Sequence, residues 1–307
     1  MTSTVAFLGP VGTFTEAALL KFELGDITPL PLSSPAEALD AVRDGRAGRA
    51  VVAIENSVDG AVTATFDALW AGDNRVQVYG EVDLDIAFAI MSAPGRTLES
   101  ARTIATHPVA YQQIRGWLAE HLPGHEFVPA SSNAAAAEMA ARGDVDVAAA
   151  PERAAEIYGL DVHARGVADM QGATTRFILV GKPGRPPART GHDRTSVVFT
   201  LPNEPGTLVG ALQEFAHRGV DMTRIESRPT RREFGNYRFY VDIAGHIDDV
   251  PVAEALRALW LRAEEVFFVG SWPSAAASDS GATAADEAQN ARLRAADKWV
   301  AQLREGT

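Results

Sequence analysis

The chain has 307 residues, of which 46% are hydrophobic and 22% charged, which excludes a wholly disordered or fibrous protein and leaves room for about two domains. Its net charge of −12 argues against non-specific binding to nucleic acid or anionic membranes, and the absence of cysteine excludes disulfides, thiolate nucleophiles and cysteine-ligated metals. It has no signal-peptide pattern and no apolar run of about 20 residues. We therefore expect a soluble, cytoplasmic protein.

Short apolar runs alternate with helical patterns in the first half of the chain. Val5–Leu8 has the character of a buried strand, and Thr13 stands three residues before Glu16, the capping-box spacing that predicts a helix. The alternation continues with predicted elements at residues 34–45, 51–54, 108–118, 132–143 and 147–150. Strands separated by single helices predict an α/β fold with a mostly parallel sheet.

A Gly/Pro-rich stretch at 181–191 breaks both periodicities and predicts a linker. Beyond it the order of elements changes to strand, helix, two strands, helix and strand, at 196–201, 207–217, 222–227, 237–243, 250–261 and 266–269. This βαββαβ order is the ferredoxin-like unit. Residues 274–285 indicate a flexible tether, and the helical pattern from Asp286 onward predicts either a frayed terminal helix or an oligomer contact.

Two polar motifs follow predicted strands. The turn Gly9–Glu16 leaves N–H groups at a helix start, where the helix dipole attracts anions; an ordinary strand-to-helix turn is the alternative. Glu55, Asn56 and Ser57 come directly after a buried strand, at the sheet edge where α/β proteins bind ligands. An Asx or serine turn that opens the next helix is equally compatible with this second motif.

Two further motifs carry hydrogen-bonding groups. Thr106-His107-Pro108 is followed one turn later by Gln113, and the lone histidine lacks the spacing of a metal site. Thr174 and Thr175 precede Arg176, a pattern that favours a carboxylate clamp with a proton donor beside it. The alternative is a pair of β-forming residues that enter a strand.

In order, the segments GPxGTFTE, IENS, THP…QQ, TTRF, PGxL and ESRP resemble the prephenate dehydratase family up to about Pro273. The resemblance implies two α/β subdomains similar to type II periplasmic binding proteins, with the active site in their cleft. It also implies a C-terminal ACT domain that binds phenylalanine, and a homodimer or homotetramer. The implied organisation is a catalytic domain at 3–181, a linker at 182–194, an ACT domain at 195–272, and a tether with a terminal helix at 273–307. Because the first strand begins near Val5, we expect a single activity without an N-terminal chorismate mutase domain.

The resemblance also implies roles for individual residues. The implied catalytic residues are Thr175, Arg176 and Glu55. The implied substrate-binding residues are Thr13, Asn56, Ser57, Thr106, Gln113, Thr174 and Phe177. The implied phenylalanine-binding residues are Asn203, Gly206, Thr207, Leu208, Val209, Glu226, Ser227 and Arg228. The family commonly has alanine at the position of Thr207, so side-chain contacts in the effector pocket are expected to differ.

Prephenate chemistry sets the expected requirements of the site. Loss of the ring hydroxyl and of the ring carboxylate makes the ring aromatic, and the ring itself accepts the electrons, so we expect no cofactor and no metal. Thr175 is the expected donor to the departing hydroxyl, and Glu55 is the rival donor if the fold buries it. Arg176 suits a substrate carboxylate. The alternative function is a non-catalytic binding protein with the same fold and an amino-acid sensor.

Overall fold

The computed structural model describes residues 3–70, 75–170, 172–230, 235–275 and 284–305. Its contacts divide the chain into two units. Unit 1 comprises the chain up to Val76 together with Val82–Lys182, and unit 2 comprises Gln77–Glu81 and the chain from Pro183 onward. The division therefore passes through one strand, because residues 77–81 group with a unit that lies about a hundred residues further along the chain.

Unit 1 is built from strands and helices in near-regular alternation. In chain order they are β1 (Ser3–Leu8), α1 (Phe14–Lys21), β2 (Ile27–Leu32), α2 (Pro35–Arg43), β3 (Arg49–Asn56), β4 (Gly60–Ala61), α3 (Thr63–Trp70), β5 (Gln77–Asp85, which starts in unit 2), β6 (Phe88–Ser92), β7 (Thr103–Thr106), α4 (Pro108–Gln113), α5 (Arg115–His121), β8 (Glu126–Pro129), α6 (Asn133–Arg142), β9 (Val147–Ala150), α7 (Glu152–Tyr158), β10 (Asp161–Val167) and β11 (Thr174–Gly181).

These strands form two mixed sheets. The first has the order β2-β1-β3-β11-β5, with β4 paired to β3, and the second has the order β10-β6-β9-β7-β8. β1 runs parallel to β2 and β3, whereas β11 runs antiparallel to β3. The expectation of a mostly parallel sheet was wrong in this respect, because the chain leaves the first sheet after β5 and re-enters it through β11 in the opposite direction.

Local sequence signals account for most helix boundaries. Thr13 Oγ1 accepts a hydrogen bond from Glu16 N, and Ser132 caps α6 in the same way. The single helix predicted at 108–118 is instead two helices, α4 and α5. The carboxylate of Asp169 accepts hydrogen bonds from Gly116 N and Trp117 N, and this capping from a distant segment starts a new helix after Ile114.

Each sheet of unit 1 buries its own apolar side chains. Phe7, Leu19, Val51 and Phe177 are among the core residues of the first sheet. The second sheet has an apolar core on each face, one with Ile90, Ile104 and Leu118 and the other built largely from alanines of α6, β9 and α7. Buried alanines allow a helix to approach a sheet closely, so the second sheet is a firm support for the loops at its edges.

Unit 2 has the βαββαβ order expected from the sequence. Its elements are β12 (Asp193–Thr200), α8 (Thr207–Ala216), β13 (Met222–Pro229), β14 (Tyr237–Ala244), α9 (Val250–Arg262), β15 (Glu265–Pro273) and α10 (Ala284–Glu305). The antiparallel sheet has the order β13-β14-β12-β15, and its core includes Val197, Phe199, Phe215 and Leu259.

Unit 2 also contains a buried ionic cluster around Glu81, whose side chain is fully buried. The guanidinium Nε of Arg194 lies 3.0 Å from Glu81 Oε2, and Trp272 Nε1 donates to the same oxygen over 3.0 Å. Ser274 Oγ and Ala275 N donate to Glu81 Oε1 at 3.1 and 2.9 Å. A buried carboxylate is stable only when it is paired and hydrogen-bonded, and these four donors meet that requirement.

The terminal helix α10 carries exposed apolar side chains, including Trp299 and Leu303. Whether it is a frayed end or an oligomer contact stays a prediction. Within the described part of the chain, every helix is too short or too polar to cross a bilayer.

Candidate active site

Two side chains from neighbouring strands meet at one end of the first sheet. Thr175 lies opposite Asn56 in the pairing of β11 with β3, and Asn56 Nδ2 donates a hydrogen bond of 2.8 Å to Thr175 Oγ1. Val58 N and Asp59 N donate to Asn56 Oδ1 at 2.8 and 3.0 Å. Because backbone N–H groups only donate, they fix the orientation of this amide and make Thr175 Oγ1 an acceptor. The hydroxyl proton of Thr175 is therefore available to another group.

Arg176 and Glu55 occupy the other face of the same strands, since successive side chains of a strand point to opposite faces. Arg176 Nε and Nη2 donate to the two oxygens of Asp83 at 2.9 and 3.1 Å. Arg176 Nη1 lies 3.6 Å from Glu55 Oε2. The structure thus places the two candidate proton donors, Thr175 and Glu55, on opposite faces of the sheet.

Ser57 and Thr174 join the two strand ends beside Thr175. Ser57 N donates to Thr174 O at 2.8 Å, and Thr174 N donates to Ser57 Oγ at 2.9 Å. Phe177, two residues further on, is 2% exposed and packs in the core of the first sheet. Direct contacts of Ser57, Thr174 and Phe177 with a substrate stay predictions.

Gln113 reaches the same region from the second sheet. Its Nε2 donates to Asp59 Oδ2 over 2.7 Å, and Asp59 N in turn donates to Asn56 Oδ1. Asp169 N donates to Gln113 O at 2.7 Å, which holds the end of α4 in place. Thr175, Asn56, Asp59 and Gln113 therefore form one continuous chain of hydrogen-bonded residues between the two sheets.

A cavity of about 750 Å³ lies at the carboxyl ends of β1 and β2. Its walls are the turn after β1 with the start of α1, the turn after β2, and two segments from the second sheet. The lining residues are Leu8–Pro10, Thr13–Thr15, Pro31–Ser33, Glu37, His107 and Ser131–Asn133. Of the predicted substrate-binding residues only Thr13 is among the lining residues of this cavity. Asn56, Gln113 and the predicted catalytic residue Thr175 lie outside the lining.

Thr106 supports one wall of this cavity from behind. It is fully buried, and its hydroxyl bonds to Ala149 O at 2.8 Å and to Asn133 Oδ1 at 3.2 Å. His107 N donates to the same Asn133 oxygen at 3.1 Å. Contact between Thr106 and a substrate stays a prediction; in the structure its hydroxyl contacts Asn133, which itself lines the cavity.

The imidazole of His107 lies in the same wall. Val109 N donates to His107 Nδ1 at 3.3 Å, so the proton of the neutral ring is on Nε2. Burial lowers the pKa of His107, which favours the neutral ring at pH 7. His107 therefore offers an N–H donor.

Glu16 links the cavity turn to the second sheet. Its Oε2 accepts hydrogen bonds from Gly12 N at 2.7 Å and from Arg153 Nε on α7 at 3.3 Å. The sequence identified Glu16 as a capping residue of α1; the contact with Arg153 also fixes the turn against α7.

Unit 2 has a smaller pocket of about 190 Å³ at the start of α8. It is lined by five of the eight predicted effector-binding residues: Asn203, Gly206, Thr207, Leu208 and Val209. Thr207 Oγ1 bonds to Pro202 O at 2.9 Å, so this departure from the family pattern is accommodated by a backbone contact. The other three, Glu226, Ser227 and Arg228, lie on the edge strand β13, outside this pocket.

Sequence reasoning missed Asp59, Asp83 and Asn133. Asn133 opens a helix directly after the segment that follows β8, so the rule that identified Glu55-Asn56-Ser57 could have found it. Asp83 lies within a strand and Asp59 in a turn, and both were indistinguishable from ordinary surface acids.

The fold and the site define an α/β enzyme with two mixed sheets and an additional βαββαβ domain. The sequence profile described as Prephenate dehydratase matches residues 5–185, and that of the ACT domain matches residues 195–261. The chain belongs to the prephenate dehydratase family; it is an enzyme of the hydro-lyase class, and its two-sheet region has the type II periplasmic-binding-protein arrangement.

Three similar proteins illustrate the relationship. The prephenate dehydratase of Corynebacterium glutamicum is 57% identical over 310 residues, which cover 99% of this chain and 97% of that protein. A crystal structure of prephenate dehydratase from Arthrobacter aurescens in complex with L-Phe is 42% identical, covers 98% of this chain and 99% of that one, and has a TM-score of 0.89. The structure of GqqA, described as a novel type of quorum quenching acylase, is 36% identical, covers 88% of this chain and 98% of that one, and has a TM-score of 0.79.

Proposed function

We propose that this enzyme converts prephenate to phenylpyruvate, water and CO2, and that phenylalanine inhibits it through unit 2. The hydrogen bond from Asn56 to Thr175 is the observation that carries the catalytic part. It leaves the Thr175 proton free to be donated, which is what the departing hydroxyl of prephenate requires. Membership in the family and the similarity to the C. glutamicum enzyme support the same reaction.

The reaction balances without an external electron acceptor. The bond between the ring and its carboxylate breaks, and its electron pair completes the aromatic ring. The bond between the ring and its hydroxyl breaks at the opposite end, and the hydroxide takes a proton to leave as water. Thr175 donates to that oxygen, either as a hydrogen bond or as a relay of a solvent proton, and positioned help of this kind contributes about 10²–10⁴-fold.

The remaining residues near Thr175 orient the substrate. Gln113, Asp59 and Asn56 hold one another in a fixed arrangement, which limits the entropy cost of positioning the ring. Arg176 was expected to hold a substrate carboxylate, but it lies on the face of β11 opposite Thr175 and its guanidinium is paired with Asp83. We therefore propose that Arg176 supports the end of β11 and does not bind the substrate that contacts Thr175. Thr13, Ser57, Thr106, Thr174 and Phe177 stay proposed contacts.

Phenylalanine is proposed to bind at the start of α8. L-Phe is present in the A. aurescens structure, and N–H groups at a helix start suit its carboxylate. Because Glu226, Ser227 and Arg228 lie outside the pocket of a single chain, their part in the site requires a second copy, and we propose a homodimer or homotetramer with paired ACT domains.

The test is a spectrophotometric assay for phenylpyruvate from prephenate, with and without phenylalanine. Turnover that phenylalanine suppresses is expected, and tight prephenate binding without turnover would instead favour a non-catalytic binding protein. Acyl-amide hydrolysis, suggested by the likeness to GqqA, should be absent, since Thr175 contacts the amide of Asn56 rather than a basic group that would activate it as a nucleophile.

A further inference from the structure

The wall of the 750 Å³ cavity contains an asparagine whose amide is held in one orientation. Asn133 Oδ1 accepts hydrogen bonds from His107 N at 3.1 Å and from the buried hydroxyl of Thr106 at 3.2 Å. The backbone N–H of His107 cannot accept, so the oxygen must face it. Asn133 Nδ2 is left without a partner among the described residues.

His107 provides a second donor in the same wall. Its Nδ1 accepts from Val109 N, so the neutral ring carries its proton on Nε2. The side chain is partly exposed, in contrast to the fully buried Thr106 behind it. Asn133 and His107 are also tied to each other through the backbone bond, so the two donors are positioned together.

Three side-chain acceptors around the cavity already accept hydrogen bonds within the protein. Ser132 Oγ accepts from Ala135 N, and Thr13 Oγ1 accepts from Glu16 N. The one acidic side chain in the lining, Glu37, stands at the start of α2 and accepts from Ser33 N and Ser33 Oγ at 3.1 and 2.8 Å. The wall formed by His107 and Asn133 therefore offers hydrogen-bond donors to a ligand that has acceptors, and a carboxylate is the acceptor group with the strongest such bonds.

We propose that Asn133 Nδ2 and His107 Nε2 bind a carboxylate of the substrate. The inference rests on the proposed function, because prephenate carries two carboxylates. The cavity starts at Leu8 at the end of β1, and Thr175 is on β11, two strands away in the first sheet, which is about 10 Å along the sheet edge. A ring whose hydroxyl is at Thr175 has its ring carboxylate at the opposite end, which can then lie on the side of this cavity.

The test variant is Asn133→Asp, which keeps the oxygen that accepts from His107 N and replaces the donor with a second oxygen. Loss of a hydrogen bond to a charged group, together with repulsion, should raise KM for prephenate by roughly 10- to 100-fold, with kcat changed far less. The matched control is Gln112→Glu, which adds the same charge on the exposed side of α4. KM of the control should stay near that of the parent.

Binding is measured separately from turnover by calorimetric titration of prephenate into Thr175→Val and into the double variant Thr175→Val/Asn133→Asp. A Kd ratio of roughly 10 or more supports the assignment. If Asn133→Asp does not fold, Asn133→Ala replaces it, with a smaller expected rise because no charge is added. If the Kd and the KM for prephenate are unchanged in the Asn133 variants, the inference is overturned, and turnover by the parent enzyme still supports the proposed function. If the parent enzyme neither binds nor converts prephenate, the inference and the proposed function are both overturned.

Discussion

Asn56 donates to Thr175 across the pairing of β3 and β11, and this direction of the hydrogen bond decides what the threonine can do. A hydroxyl that accepts from an amide keeps its own proton for a third group. The same amide oxygen accepts two backbone N–H groups, so the direction cannot reverse by a rotation of the amide without the loss of two bonds. The backbone of the loop after β3 thereby determines that the Thr175 hydroxyl accepts from Asn56 and keeps its own proton.

Two replacements of Thr175 distinguish the contribution of its hydroxyl from that of its side-chain shape. Thr175→Val keeps the volume and the β-branched form, and it should lower kcat by about 10²–10⁴-fold with KM nearly unchanged, because a contact made in the transition state is removed. Thr175→Ser keeps the hydroxyl and should retain most of the activity. Steady-state kinetics on both variants checks this; a dead Glu55→Gln beside an active Thr175→Val would transfer the role of proton donor to Glu55.

Asn56→Asp tests the direction of the hydrogen bond. The variant keeps the oxygen that accepts from Val58 N and Asp59 N, but its second oxygen captures the Thr175 proton. We expect kcat to fall by about 10²-fold or more, although the side chain hardly changes in size. Gln112→Glu controls for the added charge. Retention of wild-type kcat by Asn56→Asp would show that the Thr175 proton is not needed.

Single substitutions can test separately the two groups of residues that are predicted to bind phenylalanine. Asn203→Ala, in the pocket at the start of α8, should raise the phenylalanine concentration needed for inhibition and leave kcat without effector unchanged. Ser227→Ala, on the edge strand β13, should do the same only if a second copy completes the site. Calorimetry with phenylalanine at high and low protein concentration distinguishes these cases.

Unit 2 should lose stability in acid through Asp242. Burial alone would raise the pKa of this carboxyl, but Arg224, the Ser196 hydroxyl and Arg194 hold the pKa below its ordinary value. The stabilisation is therefore complete above the unfolded-state pKa of about 3.9 and is lost as the pH falls through the lower folded-state pKa.

The variant Asp242→Asn removes the buried negative charge that faces Arg224 and Arg194, so it should lower the free energy of unfolding by about 3–5 kcal/mol at pH 7. Urea unfolding at several pH values checks this, and the difference from wild type should shrink towards pH 3. Asp221→Asn, an exposed residue of the same unit, is the control and should have little effect.

A fragment of residues 1–182 tests whether catalysis resides in unit 1 and phenylalanine sensing in unit 2. It contains Thr175, Asn56, Gln113 and the cavity, and we expect measurable prephenate turnover without inhibition by phenylalanine. Persistent inhibition at the original effector concentration would place the sensor within the fragment.

The sequence was sufficient where local signals decide structure. The cap at Thr13 and the βαββαβ order of unit 2 rest on short-range patterns, and the structure has them as expected. The polar run Glu55-Asn56-Ser57 was also visible in the sequence, but Glu55 and Asn56 are the last residues of β3 instead of following it. The break between α4 and α5 was not predictable, because Asp169 caps α5 from more than fifty residues away in the chain. The pairing of Arg176 with Asp83 and of Gln113 with Asp59 likewise depends on which strands and turns become neighbours, and no spacing within either motif indicates it.

The segment Gln77–Glu81 makes the regulatory domain discontinuous in the gene. A chimera made by joining this chain at Pro183 to the ACT region of a distant relative would bring in a new equivalent of Arg194 and Trp272 but keep the host's residue 81. Exchange of the domain therefore requires that residues 77–81, which lie within the catalytic sequence, be exchanged together with it. Natural recombination at the Gly/Pro-rich junction would face the same constraint, so residue 81 and its partners should change together when such domains are exchanged.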